Sequence, residues 1–393
     1  MDWGKGIKST IERGVEEGAF PGAVLLVGTG GEVIFCEAAG NRSLVPEKIP
    51  MKRDTIFDLA SLTKSLATTL VIMKLVEEGK IELDRKIADL LPHASLANKK
   101  DLTPRLLLSH SAGLVDWKPF YASLMDYPMR DRKRMLRQWI IEEPFVYEPG
   151  RGNMYSDLGF MLLEWIIEEC TAENLAQVVQ KHYYEPLGLK RTLFIPIEEN
   201  PPRSPFGKGG GEINSSQSPP GKGKDQRAGE AGEFAATEDC PWRKRVLQGE
   251  VHDDNAWALG GCAGHAGLFS TAEEIYTIAN MLREHFFGKR SDYFKPETVK
   301  EFFRRQNIVE GSDWALGWDT RALQGSSAGK YFSRDSVGHT GFTGTSIWMD
   351  LKKDVIAILL SNRIHPKRDN EKIKQFRPLI HDAIMRELGL TSI

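Results

Sequence analysis

The sequence predicts a mixed α/β (α+β) chain in which an antiparallel β-sheet, built from both termini and flanked by helices, carries an inserted all-helical lobe. Three observations lead there. β-rich apolar runs lie near both ends, at 23–27 and 33–39 and again at 345–349 and 355–360. From residue 61 to about 179, apolar residues recur instead at three- and four-residue spacing, the signature of helices. Strands at the two ends with helices between them favour one sheet closed by both termini.

Taken in order, Ile7, Ile11 and Val15 mark an amphipathic first helix. Gly28-Thr29-Gly30-Gly31-Glu32 then separates two β-rich runs, which reads as a hairpin. The helix expected over 61–79 carries Leu66, Leu70, Met73 and Val76 as a stripe that Ala67 and Val71 widen, with Gly79 as its C-cap. So little polarity in its body predicts burial. Further helices are expected at 103–109, 131–142, 156–170 and 172–183; Thr103-Pro104 suits a helix start. Residues 200–235 carry almost nothing apolar and many Gly, Pro, Ser and Lys residues, the composition of a mobile insertion. Ser270-Thr271-Ala272-Glu273 reads as a capping box opening a helix to about His285. A strand around His339, two more near the end and a helix over about 370–388 complete the pattern. The expected organisation is one catalytic unit, with 1–60 and 305–393 as the α/β lobe and 61–304 as the helical lobe.

Composition narrows the classes of function. At 393 residues the chain can bury a large core, and 41% hydrophobic with 27% charged residues is the balance of a soluble globular protein. A net charge of −2 gives no reason to expect nucleic acid or an anionic membrane as partner. No apolar run approaches the roughly 18–20 residues needed to span a bilayer. Cys36, Cys170, Cys240 and Cys262 lie far apart without ligand spacing, so buried free thiols and a reducing, cytoplasmic setting are expected. His252-Asp253-Asp254 offers adjacent rather than spaced ligands, and a hydrogen-bonded loop is the simpler reading than a metal site. No metal and no cofactor are expected.

Chemistry concentrates at Ser61-Leu62-Thr63-Lys64. Residues three apart on a helix share a face, so the hydroxyl and the amine stand side by side, and an adjacent base is what a weak Ser nucleophile needs. Alone the motif is weak, because S-x-x-K arises by chance on the order of once in such a chain; Ser327-Ala328-Gly329-Lys330 is a second copy in a Gly/Ser-rich stretch. Two further motifs lift the first copy out of that background. Tyr155-Ser156-Asp157 follows Pro149-Gly150-Arg151-Gly152-Asn153 and opens a helix, and His339-Thr340-Gly341 sits on an expected strand. His110, in Ser109-His110-Ser111, reads more simply as a hydrogen-bonded core histidine than as a catalyst.

In this order, S-x-x-K, Y-x-D and H-T-G resemble the serine β-lactamase and penicillin-binding-protein superfamily, and the Tyr motif resembles its class C branch with the related esterases and D-alanyl-D-alanine peptidases. Phe57-Asp58-Leu59-Ala60, Glu148-Pro149-Gly150, Ala266-Gly267-Leu268-Phe269 and Leu316-Gly317-Trp318 are similar to its recurring stretches. The resemblance implies a β-lactamase/transpeptidase-like fold and a small-molecule acyl substrate that Ser61 attacks. It implies that Lys64 and Tyr155 share the proton transfers, that His339 stands where the strand Lys would be, and that the N–H groups of Ser61 and Phe342 form an oxyanion hole. Asp157, Thr340, Gly341 and Phe342 would face the substrate. Two departures bear on the substrate. Ionised Asp157 accepts hydrogen bonds where an Asn amide would donate, and beside Lys64 it would keep that amine protonated. His339 replaces a permanent cation by a group of ordinary pKa about 6.5, so its hold on a carboxylate should fade as pH rises. Both favour an esterase- or amidase-like hydrolase of small acyl esters or D-amino-acid peptides over a dedicated class C β-lactamase or D-alanyl-D-alanine carboxypeptidase. A catalytically silent binding module on the same fold is the rival of another class.

Overall fold

The two ends of the chain meet at the centre of the large sheet. In the computed structural model, which describes residues 4–197 and 233–392, twelve strands are present among the described residues. They are β1 (Gly22–Thr29), β2 (Glu32–Ser43), β3 (Ile49–Pro50), β4 (Phe57–Asp58), β5 (Leu193–Phe194), β6 (Asp239–Cys240), β7 (Arg245–Val246), β8 (Leu268–Ser270), β9 (Asp319–Thr320), β10 (Val337–Thr340), β11 (Ser346–Asp350) and β12 (Val355–Ser361). Seven form one sheet in the order β3-β2-β1-β12-β11-β10-β9. β1 pairs antiparallel with β12 from Ala23↔Ser361 to Thr29↔Val355. The hairpin between β1 and β2 turns on Gly30 and Gly31, both at positive φ, which only glycine adopts freely.

Alternation along the strands sends side chains to opposite faces. Leu25, Val27 and Leu359 face the first helix (Lys5–Glu16) and the last (Ile373–Glu387), packing with Ile7, Ile11, Phe376, Ile380 and Ile384. Val24, Leu26, Ile358 and Leu360 face the other way, into the core shared with the helix Ala272–Phe286 and the buried helix that follows Ser61. That buried helix opens with a wide π-helical turn, Lys64–Thr68, before the regular stretch Thr69–Glu77. Within the wide turn Ser65 Oγ donates to the Gly317 carbonyl at 2.7 Å and Thr68 Oγ1 to that of Gly264 at 2.6 Å. Such turns recur at functional sites.

Two expectations need correction. The expected insertion over 200–235 lies outside the described residues except at its end, and that end is packed: Phe234 bridges Ile56, and Phe234 and Ala235 are buried. The helix after β8 is capped one residue later than expected, by Thr271, whose side chain accepts the Glu274 N–H. Ser270 is unavailable as a cap because it ends β8 and its hydroxyl pairs with that of Thr192 at 2.7 Å.

Candidate active site

The turn into the buried helix is fixed from below. Buried Asp58 accepts the N–H groups of Ala60 at 2.8 Å and His252 at 2.7 Å, tying this turn to the loop that carries Asp253. Ala60 is held at φ +47, an unfavourable conformation for a residue with a Cβ, and Ser61 follows it. Lys64 Nζ, fully buried, donates to Ser61 Oγ at 3.2 Å and to the His265 carbonyl at 3.1 Å. Asp157 Oδ1 lies 2.7 Å from the same ammonium. That contact is an ion pair rather than an aligned hydrogen bond, since Oδ1 has no hydrogen-bond partner. Burial by itself would lower the Lys64 pKa; the charges of Asp157 and Tyr155 outweigh it, and the net shift is upward.

Tyr155 lies over this pair, its ring centroid 4.9 Å from the ammonium. Its hydroxyl is buried with no hydrogen-bond partner among the described residues. Burial raises its pKa, and Lys64 and Ser61 oppose that rise while Asp157 adds to it. The Tyr155 ring packs 4.6 Å from the ring of His110 and 5.6 Å from that of Trp314. His110 is the core histidine expected of it. It is buried, accepts the Ser156 N–H at Nδ1 (3.0 Å), and burial holds its pKa well below the ordinary value.

His339, on β10, is 2% exposed, with its ring 5.9 Å from that of Tyr155. Nδ1 lies 3.0 Å from the Thr340 carbonyl, so Nδ1 carries the proton and Nε2 is left bare, buried and without a partner. Burial, reinforced by the charge of Lys64, lowers its pKa to about 3. The expectation of a cation that fades above pH 6.5 is therefore corrected: the ring is neutral throughout the working range, because the pocket excludes the water that would solvate its charge.

After β10 the chain is clamped against the start of the buried helix. Thr343 Oγ1 donates to the Asp58 carbonyl at 2.7 Å and Thr345 Oγ1 to that of Leu59 at 3.0 Å. A Cβ on Gly341 would lie 2.1 Å from Thr345 Oγ1 and 2.5 Å from the Leu59 carbonyl, so only glycine fits. Phe342 is 49% exposed, its ring between His252 (5.7 Å) and the guanidinium of Arg363 (4.4 Å). Ser61, Tyr155, Asp157 and residues 339–342 line one cleft of about 710 Å³, with Lys64 beneath its floor. Ser327 lines a neighbouring cavity instead, and its Oγ accepts the Trp348 indole N–H at 3.1 Å.

Sequence reasoning missed an acid–histidine pair in this cleft. His265 Nε2 lies 2.9 Å from Asp253 Oδ1, which also caps the helix Asp254–Ala258. Burial would lower the His265 pKa, but Asp253 raises it overall. The only signal was the Gly264-His265-Ala266-Gly267 stretch, which has no periodicity to place it. Asp157, Asp253 and His265 together have ligand atoms within 4.8 Å of one another. Their charge is already engaged by the Lys64 ammonium and by one another, so the group is occupied without an ion.

A family model described as Beta-lactamase matches residues 7–381. The chain is 29% identical over 387 residues to an N-acetylmuramyl-L-alanine amidase of Bacillus subtilis (strain 168), covering 91% of this chain and 80% of that protein. It is 30% identical over 372 residues to a proposed D-alanyl-D-alanine carboxypeptidase of Escherichia coli (strain K12), covering 90% and 81%. Among solved structures, EstCE1, a hydrolase with promiscuous acyltransferase activity, superposes with a TM-score of 0.69 at 21% identity over 96% of this chain and 98% of that one. The octameric penicillin-binding protein homologue from Pyrococcus abyssi superposes with a TM-score of 0.70 at 20% identity over 99% and 78%. At such identity these two structures speak for the fold alone.

Proposed function

The chain belongs to the beta-lactamase family of serine hydrolases, and we propose that it is an esterase- or amidase-like member that forms an acyl-enzyme on Ser61. The observation that carries this reading is the Lys64 ammonium, 3.2 Å from Ser61 Oγ yet held charged by Asp157 at 2.7 Å. A locked ammonium cannot accept a proton, so the base role falls to the phenolate form of Tyr155, which Lys64 and Ser61 favour and which burial and Asp157 keep the minor form below a raised pKa. The Ser61 proton passes to Tyr155 as Oγ bonds to the acyl carbon. The N–H groups of Ser61 and Phe342 receive the developing oxyanion, the kind of contact worth several kcal/mol. Collapse breaks the bond to the leaving group, which takes the proton back from Tyr155. Water then gives its proton to Tyr155 as it attacks the acyl carbon, the Ser61 Oγ–acyl bond breaks, Ser61 takes the proton back from Tyr155, and the acid leaves.

Small acyl esters and D-amino-acid or cell-wall-type peptides are the substrate classes this reading supports; the second draws on the names of the amidase and carboxypeptidase relatives. Neutral His339 offers no cation to a β-lactam carboxylate, and Asp157 has no amide to donate. The four cysteines are all unpaired, which supports a reducing, cytoplasmic setting. No helix among the described residues is long and apolar enough to cross a membrane. The test is a fluorophosphonate label with mass-spectrometric mapping, alongside kcat/KM for p-nitrophenyl acetate and nitrocefin. Ser61→Ala should abolish labelling and turnover while Ser327→Ala leaves both intact. An adduct elsewhere overturns the nucleophile, a faster nitrocefin reaction favours a true β-lactamase, and no labelling at all favours the silent module.

A further inference from the structure

We infer that the cleft takes acyl substrates bearing a protonated primary amine, which pairs with Asp319 and lies against the Trp314 ring; this rests on the hydrolase reading above. Asp319 opens β9, opposite Gly338 of β10. It lines both the Ser61 cleft and the adjoining cavity of about 700 Å³, the two spaces sharing Trp314, Asp319, Thr340, Lys374 and Arg377. No side chain donates a hydrogen bond to its carboxylate and no cation lies within 4.0 Å among the described residues. Its own neighbour Thr320 N–H and the distant Arg305 are all that favour its charge, and Arg305 is itself engaged with Asp313. Burial, with the charge of Asp313 added, pushes the Asp319 carboxyl up to about 7. A half-buried carboxylate without a partner is unfavourable, and an incoming ammonium relieves it.

The surroundings select an amine over other cations. Trp314 is held beside Asp319 by a backbone bridge, and its ring lies in the aromatic wall formed with His110, Tyr155 and His339. An indole beside a carboxylate suits an ammonium, through cation–π attraction and an ion pair together. A metal would require several converging ligands, whereas Asp319 stands alone. Lys374 and Arg377 line the same two spaces and are engaged in part: Lys374 pairs with Glu371 at 2.6 Å, and Arg377 Nη2 donates to the carbonyls of Gly341 (2.8 Å) and Thr345 (2.7 Å), while its buried Nε has no partner among the described residues. Position fits as well. β9 covers β10 only at Val337 and Gly338, leaving the edge from His339 toward Phe342 open for an extended substrate. Along that edge Asp319 and the Phe342 end of the cleft are separated by on the order of 10 Å at about 3.3 Å per residue, within reach of a flexible chain that leaves Ser61.

The experiment compares p-nitrophenyl 6-aminohexanoate with p-nitrophenyl heptanoate, in which a methyl replaces the ammonium, on the wild type and on Asp319→Asn. The readout is the ratio of the two kcat/KM values, so any general effect of the substitution cancels. The wild type should prefer the amino ester at least tenfold, and Asp319→Asn should erase that preference through KM. Turnover of both esters with no preference, or with one that survives Asp319→Asn, overturns the amine site and leaves the hydrolase reading standing. Failure to cleave either ester overturns the hydrolase reading, and the amine site is then decided by calorimetric titration. Hexylammonium should bind the wild type at least tenfold more tightly than Asp319→Asn, and equal binding overturns the site.

Discussion

Replacing Asp157 by Asn tests the charge arrangement on which the mechanism depends. The substitution keeps the shape of the side chain and removes the anion 2.7 Å from Lys64 Nζ. At an effective dielectric of about 20, unit charges at this distance attract by about 6 kcal/mol, and burial of the ammonium opposes much of that. Breaking a buried pair typically costs about 3–5 kcal/mol of stability, a limit the variant approaches only if Lys64 stays charged. In the wild type the raised Lys64 pKa means that its contribution is fully present below the ordinary lysine value and is lost only as pH climbs through the higher folded value. Wild-type stability from this pair is therefore flat between pH 6 and 9. Asp157 raises the pKa of both Lys64 and Tyr155, so its removal lowers both. The base-form limb of the pH–rate profile should then move to lower pH, with kcat/KM on that limb changing about tenfold per unit of displacement. The assay is background-corrected p-nitrophenyl butyrate hydrolysis from pH 6 to 10, with thermal melting alongside. A profile that stays in place, or moves upward, refutes the assignment of Tyr155 as the base poised by this pair.

Two further substitutions probe the strand. His339 is held neutral with a pKa of about 3, so between that value and about 6.5 the unfolded chain binds a proton that the native state refuses, and stability falls as pH drops. His339→Gln should remove that dependence, making the loss between pH 6.5 and 4.5 smaller by about 2–3 kcal/mol in urea titrations; parallel losses would show that His339 protonates in the fold. Gly341→Ala should displace the strand end from the turn before Ser61, because the new methyl meets Thr345 Oγ1 and the Leu59 carbonyl. A fall in kcat of about 100-fold or more is expected from separating the oxyanion donors, and retention of activity within tenfold would remove Phe342 N–H from the mechanism.

Local pattern made much of this legible. The stripe Leu66, Leu70, Met73 placed a buried helix after Ser61, and three-residue spacing put Lys64 beside its hydroxyl, as the 3.2 Å contact has it. Continuous β-rich apolar runs at 23–27 and 355–360 read as strands, and β1 and β12 are neighbours. The misses have tertiary causes. The His339 pKa depends on the rings and the ammonium that enclose it, none of which is near it in sequence. Asp253 and His265 meet because the Asp58 carboxylate draws in the His252 backbone, a bond across 194 residues. The cap at Thr271 rather than Ser270 follows from a strand partner that local reading could not see. Trp314 and Asp319 lie where no periodicity marks a face.

Three departures in the cleft act in one direction. Asp157 pairs with the Lys64 ammonium, His339 withholds a cation from the strand, and Asp319 adds a carboxylate with no partner. The guanidiniums that remain near the mouth are committed elsewhere: Arg363 donates to the carbonyls of Phe342, Arg368 and Asn370, and Arg368 pairs with Glu238. A substrate carboxylate entering here would lose its hydration and meet only Lys374, already paired with Glu371, and Arg377, which donates through Nη2 to two carbonyls. An uncharged acyl group loses nothing of the kind, and an ammonium gains a partner. On this reading the departures leave acyl transfer intact, since Ser61, its base and the oxyanion donors need no anionic handle on the substrate, while reversing the charge the cleft prefers. Discrimination of this sort needs only that the wrong charge be left unpaired on burial.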